Sequence, residues 1–328
     1  MDTSAKLSIL NMTKLYDNGD GVKGIDLTVK EGELVTLLGP SGCGKTTILR
    51  TIGGFIDLTD GDIQINGRSI IAMPPEKRPT AMVFQSYNLW PHMTVHDNLE
   101  FGLKLRKVPK AEREERIAEG LELVKMAGYE KKYPNQMSGG QQQRIAIARS
   151  LLLKPEVLLL DEPFSALDAK IRMQMREELR KIQTDLNITV VFVTHDQEEA
   201  MMLSDRIVVM SKGHVEQEGS PKEIYNHPAT RFVAGFIGEM NFLDCGNGKE
   251  LAVRPESITV LPGDSGSCDL SGTVRTVMML GHYLEMTLDT DRGLVKVYVT
   301  AEEAARFTVG GKAALRFNST YEFDKEDT

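Results

Sequence analysis

Cysteine is scarce in this chain. Only Cys43, Cys245 and Cys268 occur in 328 residues, widely spaced, which speaks against a disulfide framework and a cysteine-built metal cluster and fits a reducing cytosol. Long hydrophobic runs are missing too. The most apolar stretches, residues 34–38 and 157–160, are far shorter than the roughly 20 residues a bilayer-crossing helix needs. If the chain serves a membrane process, another chain must cross the membrane. The opening MDTSAKLSIL lacks the charged-then-apolar pattern of a signal peptide. Positive charge is not in excess: the formal net charge is −8, which argues against a nucleic-acid surface and leaves room only for a local basic patch. His92, His96, His214, His227 and His282 show no metal-ligand spacing. His92 and His96 stand four apart, but Pro91 precedes them and no third ligand is evident.

What is present is the material of a large core, with 41% hydrophobic and 26% charged residues, enough for one large domain or two. Alternating apolar positions predict strands at 7–10 and 25–29, and the run Leu34-Val35-Thr36-Leu37-Leu38 predicts a buried strand. A Gly-rich turn follows, then a helix over 46–52. Between 95 and 130, Leu99, Leu103, Leu105, Ile117, Leu121 and Val124 recur at helical spacing among many charges, which predicts a helical insertion. The charge run at 110–119 reads as its solvated face. Helix (141–153, 170–186, 196–203) then alternates with strand (157–160, 188–193, 206–210), the pattern of a largely parallel sheet with helices packed on it. After about Met240 short alternating segments at 273–277, 284–288, 295–299 and 314–317 predict a small β-barrel.

Gly39-Pro40-Ser41-Gly42-Cys43-Gly44-Lys45-Thr46, followed by Thr47, fits G-x-x-x-x-G-K-[ST] between a predicted strand and a predicted helix. Glycines let the backbone curl so that successive N–H groups point at phosphate oxygens, and the helix terminus adds partial positive charge. Lys45 would reach the β- and γ-phosphates, the Thr46 hydroxyl would bind Mg²⁺, and Cys43 serves as a small filler. Val157-Leu158-Leu159-Leu160 delivers Asp161 and Glu162 to a strand end, where α/β sheets place ligands. Successive strand residues point opposite ways, so the two carboxylates are free for two tasks: Asp161 for Mg²⁺, Glu162 to polarise the attacking water.

Ser138-Gly139-Gly140-Gln141-Gln142, running into Gln143-Arg144-Ile145-Ala146-Ile147-Ala148-Arg149, resembles the signature of ATP-binding cassette proteins. Ser138 caps a helix whose first turn is Gly-rich and open, an anion site without a lysine. In that family this helix completes the ATP site of the other subunit, which implies a homodimer. The resemblance extends position by position. Gln85 looks like the glutamine that senses Mg²⁺ and the catalytic water. Ser165-Ala166-Leu167-Asp168 is similar to the loop across the dimer interface. His195, ending the strand Val190-Val191-Phe192-Val193-Thr194, resembles the histidine that contacts the γ-phosphate, although a lone histidine is more often structural. Tyr16 lies where the family stacks an aromatic on adenine, and a tyrosine there also suits packing at a sheet edge.

Residues 83–95, Phe236-Ile237-Gly238 with Asn241-Phe242-Leu243, and Val253-Arg254-Pro255-Glu256-Ser257-Ile258 look like the importer ATPases of the sugar, polyamine, ferric-iron and phosphonate group. Trp90 stands where that group commonly has Phe. Only ten residues separate Leu243 from Arg254, which implies a trimmed barrel. The resemblance implies a P-loop NTPase core of the ABC type over residues 1–238, its helical subdomain at about 90–150, and an all-β TOBE (OB-like) barrel over 239–328. It further implies ATP and Mg²⁺ as ligands, transmembrane permease subunits as partners at the cytoplasmic face of the membrane, an extracellular solute-binding protein acting indirectly, and no nucleic acid. A soluble ATPase of nucleic-acid repair or translation is the alternative; such proteins usually carry tandem cassettes, coiled coils or zinc modules, none of which is present here.

Overall fold

Apolar runs with no polar alternation have to be covered on both faces, and they set the frame of this molecule. The computed structural model describes residues 5–325 except 247, 264 and 267. Its elements run β1 (Ala5–Leu15), β2 (Gly21–Lys30), β3 (Leu34–Leu38), α1 (Lys45–Gly53), β4 (Asp60–Ile65), β5 (Arg68–Ser69), β6 (Thr80–Val83), α2 (Val95–Leu105), α3 (Lys110–Leu123), α4 (Gly139–Leu151), β7 (Val157–Asp161), α5 (Ala169–Asp185), β8 (Thr189–Thr194), α6 (Gln197–Leu203), β9 (Arg206–Ser211), β10 (His214–Gly219) and α7 (Pro221–Asn226). There follow α8 (Arg231–Phe236), β11 (Asn241–Asp244), β12 (Lys249–Val253), β13 (Ile258–Pro262), β14 (Leu270–Met279), β15 (Leu284–Thr290), β16 (Gly293–Val299), α9 (Ala301–Ala304), β17 (Lys312–Phe317) and β18 (Tyr321–Asp324). The chain divides into two compact units between Ile224 and Tyr225.

In the first unit β3, β7 and β8 are buried along their whole length and lie inside a six-stranded sheet of order β10-β9-β3-β8-β7-β6. The pairs β3–β8, β3–β9, β6–β7 and β7–β8 are parallel. Parallel strands bring their carboxyl ends to one edge, so the loops after β3, β6, β7 and β8 share a neighbourhood. Only β10 runs antiparallel, through a tight turn whose Lys212 and Gly213 take φ of 47° and 83°, the positive pair that a two-residue hairpin needs. A second, antiparallel sheet, β2-β1-β4-β5, packs α1 against the first. The strands β4, β5, β6 and β10 were not legible in the sequence: β6 has four residues and β10 reads HVEQEG, too short or too polar to show a period.

The predicted insertion is present as α2 and α3, packed with α4 around Leu99, Leu103, Ile117, Leu121 and Ile145. Helix α2 starts at a capping box in which the Thr94 hydroxyl accepts from the Asp97 amide and the Asp97 carboxylate reaches back to Thr94. His96, Asp97 and Glu100 offer ligand atoms within 4.8 Å of one another. The Glu100 carboxylate is already paired with Lys104 (2.6 Å) and Arg113 (2.8 Å), and Asp97 is held in the cap. Burial raises the Glu100 carboxyl, but the two cations hold it below its ordinary value. The cluster is an ion-pair network.

The second unit is β-rich, with α7's end, α8 and the single turn α9 as its helical parts. Its sheets have the orders β11-β12-β18 and β13-β17-β14-β15-β16, closed over Val274, Met286, Leu288, Val295, Val297 and Leu315. The short spacing from Leu243 to Arg254 is a hairpin: β11 pairs directly with β12. The division at Ile224 falls earlier than the change of texture near 238. Arg254, 3% exposed, explains it: the guanidinium donates to the carbonyls of Tyr225 (2.7 Å) and Ile237 (2.8 Å) and stacks on the Tyr225 ring, 3.7 Å from its centroid. The Arg-Pro-Glu element thus ties α8 to the β unit.

Candidate functional site

Three features shape the turn after β3. Gly42 and Gly44 take φ of 82° and 102°, conformations that L side chains rarely adopt. A Cβ on Gly44 would stand 2.2 Å from Val22 Cγ1, and one on Gly39 2.3 Å from the Met210 carbonyl. The N-terminus of α1 carries no side-chain cap, so its first N–H groups stay available to a ligand. Lys45 is 5% exposed and folds onto its own loop, donating to the carbonyls of Gly39 (2.7 Å) and Pro40 (2.9 Å). Cys43 is buried beside it, with the Lys45 ammonium 3.7 Å from its sulfur. Pro40 and Ser41 are exposed at the rim.

The β7 end meets this loop. The Thr46 hydroxyl donates to Asp161 Oδ1 at 3.1 Å, and Arg50 approaches Asp161 Oδ2 at 3.8 Å. Burial pushes the Asp161 carboxyl above its ordinary value, against the pull of Thr46 and Arg50. Asp161 is the last residue of β7. Glu162 leaves the strand with φ 44°, a left-handed backbone unusual for this residue type. The strand alternation that the sequence suggested therefore stops at Asp161, and a backbone break separates the two carboxylates.

Around Glu162 the other two strand ends converge. His195 Nδ1, after β8, lies 3.1 Å from Glu162 Oε1, and the Gln85 amide, after β6, donates to Glu162 Oε2 at 3.4 Å. The Ser165 hydroxyl donates to the Glu162 carbonyl at 3.0 Å. Tyr16 is 42% exposed beside α1, its hydroxyl 3.2 Å from the Thr47 hydroxyl and the Lys14 ammonium over its ring, 5.5 Å from the centroid.

Five predicted residues stand apart. Ser138, Gly139, Gly140 and Gln141 open α4 with a capping box: the Ser138 hydroxyl accepts from the Gln141 amide at 3.4 Å, and Gln141 Oε1 accepts from the Ser138 amide at 3.0 Å. Asp168 is exposed and caps α5 through the Ile171 amide. Among the described residues no hydrogen bond or ion pair joins residues 138–141 or Asp168 to residues 39–47 in a single copy.

Several neighbours had no sequence signal. Arg172 bridges the Leu167 carbonyl (3.0 Å) and Asp196 (3.3 Å), the residue after His195. Asn98, fully buried on α2, donates to the carbonyls of Trp90, Met93 and Thr94 and accepts from the Trp90 amide, fixing the far end of the loop that begins at Gln85. Helical period marks Asn98 as an inward position; nothing in the string reveals its partners.

The family model described as ABC transporter matches residues 22–165, and that of the TOBE domain matches residues 251–320. The chain is 45% identical over 312 residues to the spermidine/putrescine import ATP-binding protein PotA of Borreliella afzelii, covering 87% of this chain and 89% of that one. It is 46% identical over 301 residues to the protein of the same name from Bacillus anthracis, with 90% and 92% covered. Among solved structures it is similar to cbiO1 from Clostridium perfringens, part of the ABC transporter complex cbiONQ, at 30% identity and TM-score 0.63, covering 67% of this chain and 90% of that one. It is also similar to the dimeric post-hydrolysis structure of the ATP-binding cassette MJ0796 bound to ADP and Pi, at 34% identity and TM-score 0.58, covering 66% and 98%. Among the described residues no helix is long and apolar enough to cross a membrane.

Proposed function

We propose a division of labour for this chain, which belongs to the ABC transporter family as an ATP-hydrolysing importer subunit: each of two copies holds one ATP on its own residues 39–47 and closes residues 138–141 on the nucleotide of the other. The proposal is carried by the convergence of Gln85 and His195 on Glu162, at 3.4 Å and 3.1 Å, beside the phosphate loop.

The roles follow from the chemistry of each group. The open N-terminus of α1 and the Lys45 ammonium take the β- and γ-phosphates, Lys45 exchanging two backbone carbonyls for phosphate oxygens. The Tyr16 ring stacks on adenine. Glu162 accepts the proton of the attacking water. His195 and Gln85 orient its carboxylate and the γ-phosphate. Thr46, Asp161 and Gln85 are the residues that would hold Mg²⁺; their oxygen donors suit a hard cation, and the buried Asp161 carboxylate has one long ion pair, with Arg50 at 3.8 Å. When bound, the ion neutralises charge on the β- and γ-phosphates. Ser138, Gly139, Gly140 and Gln141 give the second anion-facing helix terminus, and Asp168 stands at the copy–copy interface.

Coupling to membrane subunits runs through the cleft lined by Trp90, Phe101, Leu105, Arg106 and Leu153, where Leu105 is 68% exposed. Helices of separate permease subunits dock there, at the cytoplasmic face. Closure of the two copies moves that cleft, and hydrolysis resets it. A solute-binding protein outside the membrane delivers the solute, which never touches this chain. The names of the relatives make polyamines the solute class to test, and no nucleic acid takes part.

Glu162→Gln tests the reading. The variant should bind ATP, lose hydrolysis by about a hundredfold or more, and elute as a dimer in ATP but a monomer in ADP. Normal hydrolysis by this variant would remove Glu162 from its role.

A further inference from the structure

Arg149 has no carboxylate within ion-pair distance among the described residues, yet its guanidinium is half-buried and unused by the chemistry above. Burial pushes its pKa down to about 10, which records the cost of keeping a cation there. It sits in the last turn of α4. Its two terminal nitrogens donate to the carbonyls of Asn88 (2.8 Å) and Tyr87 (3.0 Å), and the guanidinium lies 4.9 Å from the centroid of the Trp90 ring.

The two carbonyls belong to consecutive residues in left-handed backbone, Tyr87 at φ 60° and Asn88 at φ 47°. Asparagine tolerates that region; an aromatic residue resists it. Local contacts supply only part of the compensation: the Ser86 hydroxyl donates to the Asn88 side chain at 2.8 Å, and the Tyr87 amide donates to the Phe84 carbonyl at 2.9 Å. Among the described residues the buried Tyr87 hydroxyl has no partner, so its side chain is held for packing. A planar fork fixes the relative direction of two adjacent carbonyls; a lysine ammonium can bond two carbonyls, as Lys45 does with Gly39 and Pro40, but as a compact charge on a flexible stem it does not fix their relative direction.

Gln85 stands two residues before this bend, and its bond to Glu162 is long, at 3.4 Å. A small rotation of residues 86–88 would break it. We propose that Arg149 is a positioning residue that holds Gln85 at the reaction centre by locking the left-handed Tyr87–Asn88 bend to the end of α4. It also makes one rigid connection between the helix that opens at Ser138 and the loop that carries Gln85. The inference rests on Gln85 acting at the nucleotide, as proposed above.

The test uses the full-length chain without permease, so that docking in the cleft does not enter. Arg149→Lys and Arg149→Met, Gln85→Ala and the double variant Gln85→Ala/Arg149→Met are compared for kcat, KM and affinity for a non-hydrolysable ATP analogue. The expected result is a kcat lower by about 10- to 100-fold in each single variant, with KM and analogue affinity within about threefold of the parent. The double variant should be no slower than Gln85→Ala alone, because Arg149 acts through Gln85. Full turnover in Arg149→Lys, multiplied losses in the double variant, or loss of analogue binding in step with turnover would each overturn the proposal. A Gln85→Ala chain as fast as the parent would remove the premise, and the proposal with it.

Discussion

Two helix N-termini carry the proposed nucleotide contacts of this chain, and they are finished differently. Helix α1 begins at a glycine with φ 102° and no side-chain cap, and a lysine waits on its own loop. Helix α4 begins at a serine whose hydroxyl and partner glutamine close a capping box. The first terminus is incomplete until a ligand arrives; the second is already satisfied, through one long bond of 3.4 Å. A terminus that is capped in the free chain gains less from an anion, so it serves as the half that closes last. On the proposed division of labour, the difference gives the two features an order: α1 captures, α4 clamps.

The largest effect that would sharpen this contrast is at Lys45. Lys45→Ala should weaken ATP binding by about a hundredfold, read by fluorescence titration, since one charge-assisted partner of the phosphates is gone. Undiminished binding would break the assignment of capture to α1. Gly44→Ala should come next. Its Cβ meets Val22 at 2.2 Å and its φ of 102° penalises any side chain, so a loss of about 2–3 kcal/mol in thermal or urea unfolding is expected, with weakened ATP binding. Ser138→Ala should cost only about 1 kcal/mol of stability, the usual worth of a cap, and leave ATP binding by the single chain unchanged while slowing turnover about tenfold. Equal damage to binding and turnover would erase the distinction between the two termini.

The smallest effect is at Asp161. Its carboxyl is pushed up by burial, so the stability it contributes belongs to the protonated form. That contribution is present below the ordinary carboxylate range and is lost as pH rises through the raised folded value. Nucleotide-free Asp161→Asn should therefore melt about 2–4 °C above the parent near neutral pH, and the gap should close at acid pH. MgATP should reverse the order by stabilising only the parent. A variant that melts lower at neutral pH would show that the ionised carboxylate supports the fold.

Much of the capture site was legible in the string because it is local. Gly39–Thr46 is one contiguous motif between a strand and a helix, although the close approaches that keep Gly44 and Gly39 bare come from the distant Val22 and Met210. The start of α4 was legible as a capped, Gly-rich helix terminus, although the partner proposed for it belongs to a second copy. Contacts between distant segments were silent. Arg149 was visible as a letter in the α4 string, but its carbonyl partners at 87 and 88 depend on a bend that no period announces. The separate partners of Asp161 and Glu162 do not come from the strand alternation that the sequence suggested, since the strand stops at Asp161 and Glu162 takes a left-handed φ. Arg254 was read as part of a motif, while its grip on Tyr225 and Ile237, which places α8 with the second unit, needed coordinates.

The most direct measurement is the rate of ATP hydrolysis per chain along a dilution series, with association followed by sedimentation in the same buffer. If capture and clamp come from different copies, turnover per chain should fall in step with the fraction of chains in dimers and vanish where only monomers sediment. A rate per chain that stays constant into the monomeric range would contradict the account.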